Sequence, residues 1–86
     1  MSLDKQTLEL IAVGASVAAN CQPCLEHNVD KALEYGADSQ QIAEAIEVGK
    51  RVRQGAAAKL DKFAVSLNHA DPSLARAPVG GCECGA

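Results

Sequence analysis

Two cysteines three residues apart carry the most chemistry in this chain, in the stretch Asn20-Cys21-Gln22-Pro23-Cys24-Leu25-Glu26-His27-Asn28. Asn20 is a polar residue of the kind that caps helices, and Pro23 is tolerated in a first helical turn because its missing N–H would have been unpaired there. Read as a helix start, the stretch holds both sulfurs near unpaired backbone N–H groups and the positive end of the helix dipole, which favour a thiolate over a thiol. A thiolate is both the nucleophile of disulfide chemistry and a soft metal ligand. Cys21 and Cys24 are one helical turn apart, so their sulfurs can reach disulfide distance with little rearrangement. With the second pair, Cys82 and Cys84, they could instead complete a tetrahedral zinc set, the one reading under which a metal cofactor is expected.

Three helices are predicted to position this stretch. The first begins at Asp4, an N-cap flanked by Leu3 and Leu8 in hydrophobic-staple positions, and is apolar around most of its circumference, so it is expected to be largely buried. Glu9 is its conspicuous charge. The second carries the stripe Leu25, Val29, Ala32 and Leu33 and stops at Gly36. With almost no linker between them, the two form an antiparallel hairpin with the cysteines at its bend. Asp38 and Gln41 make a capping box for a third helix, with Ala37 and Ile42 as staple. Its apolar positions keep helical spacing from Ile42 to Leu67, about 40 Å at 1.5 Å per residue, so its far end is expected to pack on another chain. Lys50, Arg51, Arg53, Lys59 and Lys62 read as a solvated basic face. Pro72 and Pro78 exclude further helix. The fold class is all-α, with a helical domain over 1–68 and a flexible tail over 69–86 that ends in Cys82-Glu83-Cys84.

Composition narrows the function classes. Tyr35 and Phe63 are the only aromatics among 86 residues and the net charge is −3, which argues against nucleic acid as a partner. No run is long and apolar enough to cross a membrane, and Met1-Ser2-Leu3-Asp4 lacks the features of a signal peptide, so a cytoplasmic protein is expected. In a reducing compartment its four cysteines suggest catalysis or metal binding rather than structural disulfides. So short a helical chain buries only a modest core, and oligomerisation is the usual remedy.

Glu9, eleven residues, Asn20-Cys21-Gln22-Pro23-Cys24 and a histidine in the next turn together resemble the alkylhydroperoxidase D / carboxymuconolactone decarboxylase-like family. The resemblance covers roughly residues 3 to 67, including the Leu33-Glu34-Tyr35-Gly36-Ala37 turn and the Ile42-Ala43-Glu44-Ala45-Ile46 helix start. It implies an all-helical homo-oligomer, a trimer or hexamer, that reduces hydroperoxides or disulfides with electrons from a dithiol donor and needs no cofactor beyond its own disulfide. It further implies that Cys24 reacts with peroxide to give a sulfenic acid, that Cys21 resolves it, and that Glu9 belongs to a proton relay. The family's relay histidine falls on Asn28, which cannot exchange a proton, so His27 is the substitute candidate. A decarboxylase of the lactone type is a third reading, and it does not depend on a cysteine pair. The Cys82/Cys84 tail could return electrons to the Cys21–Cys24 disulfide, bind a soft metal or metalloid, or simply be solvated.

Overall fold

A computed structural model describes residues 2–67, and these form three helices with no strand among them: α1 (Lys5–Ala18), α2 (Gln22–Glu34) and α3 (Ser39–Leu67). The expected tail, with His69, Cys82 and Cys84, lies outside the described residues. The chain divides after Gln54 into two compact units, so the hairpin and the first part of α3 make one unit and the helical turns from Gly55 to Leu67 belong to the other.

Each helix boundary has a local cause. Asp4 caps α1, its carboxylate accepting the Thr7 N–H at 2.8 Å, and that bond holds the Asp4 carboxyl below its ordinary value of 3.8. At the end of α2, Gly36 takes a φ of 93°. The Ala37 N–H then returns to the Ala32 carbonyl and the Gly36 N–H to the Leu33 carbonyl, the paired bonds of a Schellman motif. Asp38 and Gln41 form the expected capping box in both directions, Gln41 N–H to Asp38 Oδ1 at 2.8 Å and Asp38 N–H to Gln41 Oε1 at 3.0 Å. Ala37 and Ile42 flank it, both buried in the core.

α1 and α2 pack as an antiparallel hairpin. Its core centres on Val13 and Ala32, with Ala37 and Ile42 beside them and Leu25, Val29 and Ile46 half-buried around the edge. α3 crosses α1 where two glycines meet. A Cβ placed on Gly49 would overlap the Gly14 carbonyl oxygen and come within 2.8 Å of the Val17 Cβ, so the crossing requires glycine at that position. α1 is less buried than its composition predicts: Ile11 is 55% exposed, because α2 and α3 cover only two sides of the helix in the single chain. Ile11 borders an open apolar groove of about 560 Å³, floored by Gly14, Ala15 and Gly49 and walled by Val48 and Val52.

The two α3 glycines yield a matched test. Gly49→Ala forces α1 and α3 apart and is expected to cost about 1–3 kcal/mol, as overpacking generally does. Gly55→Ala meets nothing within 4 Å and is expected to gain about 0.5–1 kcal/mol from helix propensity. Urea denaturation of the two variants reads the opposite signs directly.

Candidate functional site

The bend between α1 and α2 is built from backbone hydrogen bonds that pass through a single residue. The Asn20 N–H donates to the Val17 carbonyl and the Cys21 N–H to the Ser16 carbonyl, each at 3.0 Å, which closes α1. This closure requires a left-handed residue at position 20, and Asn20 supplies it with a φ of 57°. Cys21 then opens α2: it is the N-cap, in extended conformation, and its sulfur accepts the Cys24 N–H at 3.3 Å. This corrects the expectation that Asn20 caps the second helix. Asparagine suits both the N-cap and the left-handed position, and here the second use prevails because the connection is too short to hold a separate cap.

Cys21 and Cys24 are joined as a disulfide, with their Cα atoms 5.2 Å apart. Cys21 is half-buried and Cys24 exposed. His27, in the next turn, is exposed.

One turn beyond Cys24, Asn28 faces α1, and its partner there is Ser16. The Asn28 side-chain N–H₂ donates to Ser16 Oγ at 2.9 Å, and that hydroxyl donates to the Ala12 carbonyl at 2.7 Å. Glu9 lies seven residues from Ser16, on the same face of α1 but about 10 Å farther from the bend. It is half-buried and forms no hydrogen bond or ion pair among the described residues. The structure thus brings Cys21, Cys24 and Asn28 together along one edge of the hairpin, while Glu9 stands apart from them.

Arg53 departs from the solvated basic face expected of it. Its Nη1 donates to Asn20 Oδ1 at 3.1 Å and to the Val17 carbonyl at 3.4 Å, tying α3 to both closing residues of α1. The signal was present in the spacing. Positions 42, 46, 49 and 53 lie on one helical face, so Arg53 continues the inward stripe instead of joining the solvated charges. Together with Lys50 and the apolar Leu25 and Ile46 it lines a groove of about 290 Å³ that opens onto Asn20 and Cys21. No group of three or more histidine, cysteine or acidic side chains stands together as a metal set among the described residues. No helix among them is long and apolar enough to cross a membrane.

An all-α hairpin of the alkylhydroperoxidase D-like type, with a bridged Cys-x-x-Cys at its bend, is the class that fold and site define. The sequence profile of the carboxymuconolactone decarboxylase family matches residues 1–66, and the chain belongs to that family. It is also similar to a Paracoccus denitrificans protein named "Uncharacterized protein 4 in cox locus", with 45% identity over 56 residues. That alignment covers 65% of this chain and 50% of the relative, so the chain spans about half the length of the curated protein it matches. No solved structure matches the chain significantly.

The Ser16–Asn28 bond has a measurable worth. Ser16→Ala leaves the half-buried Asn28 amide short of its acceptor and is expected to cost about 1–2 kcal/mol. In a denaturant cycle with Asn28→Ala, the double variant should lose less than the sum of the two singles.

Proposed function

We propose that this chain is a small thiol-disulfide oxidoreductase that reduces hydroperoxides or disulfides through Cys21 and Cys24. The observation that carries the reading is the cysteine bridge at a helix start, within a chain belonging to a family that includes alkylhydroperoxidases. In the peroxide cycle the Cys24 thiolate attacks the terminal oxygen of the hydroperoxide, the O–O bond breaks, and the alcohol leaves after taking up a proton. The product is a Cys24 sulfenic acid. The Cys21 thiolate then attacks the Cys24 sulfur, the S–S bond forms, and the hydroxyl leaves as water with a second proton. A dithiol donor reopens the disulfide and is itself oxidised.

The resting contacts suit these roles. An exposed Cys24 is open to oxidant, and the Cys24 N–H stands ready to stabilise negative charge on the Cys21 sulfur. Glu9 and His27 are the proposed proton carriers for alcohol and water release. Neither is within hydrogen-bond contact of a cysteine here, and Asn28 occupies the position one turn after Cys24 where a carrier would act most directly. Exchange between thiols and disulfides needs no such carrier, so disulfide reduction is the better supported half of the reading. The cycle suits a reducing compartment such as the cytoplasm, and the open groove between Ile11 and Val52 is proposed to be covered by a further copy in a homo-oligomer. The decarboxylase branch of the family makes no use of a cysteine pair.

Two measurements test this. Free thiols are counted in the reduced protein before and after one equivalent of hydroperoxide, with metal assayed in the same sample. The reading expects two thiols lost, and none lost as disulfide in Cys24→Ala. Four protected thiols with zinc bound stoichiometrically would establish the metal-binding alternative instead. In the second, Asn28→His restores a titratable group one turn after Cys24 and is expected to raise hydroperoxide turnover about tenfold or more. Exchange with a simple thiol should change less than about twofold, because it uses no relay.

A further inference from the structure

The groove beside Cys21 contains a cation that the fold does not neutralise. Arg53 is half-buried and spends Nη1 on two neutral acceptors, the Asn20 amide oxygen and the Val17 carbonyl. It forms no ion pair with a carboxylate among the described residues, and its other N–H donors make no hydrogen bond there. Lys50 lines the same groove and pairs at 3.3 Å with Glu47, one turn back on the exposed side of α3. Leu25 and Ile46 supply apolar wall, and Cys21 lines the same groove. A guanidinium fixed by two bonds, with donors to spare in a partly apolar cleft, is suited to a planar anion that accepts two parallel hydrogen bonds.

We propose that this groove is a recognition site for a carboxylate, held by Arg53, on the thiol or disulfide with which the Cys21–Cys24 pair exchanges. The proposal rests on the dithiol reading above and adds the chemical class of the reactant: a sulfur compound with an acidic group on a short apolar stem. The groove, at about 290 Å³, takes one end of such a molecule and leaves its sulfur at the bend. Cys21 lines the groove and Cys24 does not, so Cys21 Sγ is the sulfur within reach of the docked reagent. The reagent's thiolate attacks Cys21 Sγ, a new S–S bond joins them, and the Cys21–Cys24 bond breaks with its electron pair left on Cys24 Sγ, the exposed residue of the pair. A second reagent thiolate attacks the reagent sulfur of the mixed disulfide, which releases Cys21 as a thiolate. The reagent leaves as its disulfide, two electrons have passed to the protein, and both cysteine thiolates equilibrate with solvent protons.

The test uses the oxidised full chain and two thiols of equal length, 4-mercaptobutyrate and 4-mercaptobutanol. Reduction is followed by alkylation and mass analysis, at matched thiolate concentration. The wild type is expected to react about tenfold faster with the carboxylate reagent, and added salt should shrink that preference. Arg53→Gln should abolish the preference, the carboxylate reagent's rate falling to that of the alcohol, and Arg53→Lys should keep part of it. Equal slowing with both reagents in Arg53→Gln would show that Arg53 only holds the bend, and it would overturn the proposal. So would a wild type without preference at any salt concentration, a result that needs no variant to fold. Reduction without preference leaves the dithiol reading standing; failure of both reagents to reduce the pair would bring down that reading and this one together.

Discussion

Cys21 belongs to two helices at once, and the rest of the structure follows from that. Its N–H closes α1 by donating to Ser16, and its sulfur opens α2 by accepting from Cys24. A connection with no spare residue leaves one geometry for the bend, and that geometry stations Cys24 one turn away on the new helix. The bridging distance is therefore set by backbone hydrogen bonds, none of which involves a sulfur. A dithiol held this way loses little chain freedom on oxidation, so the change of redox state is confined to the sulfurs themselves.

Support for the bend comes from α3, and small residues make that possible. Gly14 and Gly49 let the two backbones approach until α3 passes beside the end of α1, which places Arg53 within reach of Asn20 and the Val17 carbonyl. A bulkier crossing would hold the guanidinium away from the closing turn. The alanine and glycine content that limits the core thus also brings a fixed positive charge to the groove that Cys21 lines.

Much of this could be read from residue order, and the exceptions have physical reasons. Gly36 and the Asp38–Gln41 pair announced their boundaries because a left-handed glycine and a reciprocal cap have few alternative uses. Asn20 misled because asparagine serves two opposite ends of a helix equally well. Arg53 reads as a solvated charge by residue type alone, yet its place on the 42, 46, 49, 53 face turns it inward. Glu9 stands clear of Asn28 because the pairing of Ser16 with Asn28 sets the register, and register depends on how tightly the bend closes. Ile11 on α1 and Val52 on α3 remain more than half exposed, a departure from the largely buried first helix that composition predicts.

The central claim is a reversible two-electron switch within one turn of helix, and a redox titration tests it most directly. The chain is equilibrated across a series of dithiol-to-disulfide buffers, alkylated, and cleaved after lysine and arginine, which places Cys21 and Cys24 on the peptide spanning 6–31 and Cys82 and Cys84 on another, spanning 77–86. The account predicts a single transition in which the 6–31 peptide gains two alkyl groups together, with the slope of a two-electron couple. A 6–31 peptide alkylated at both cysteines across the whole series, or disulfides that join it only to the 77–86 peptide, would contradict it.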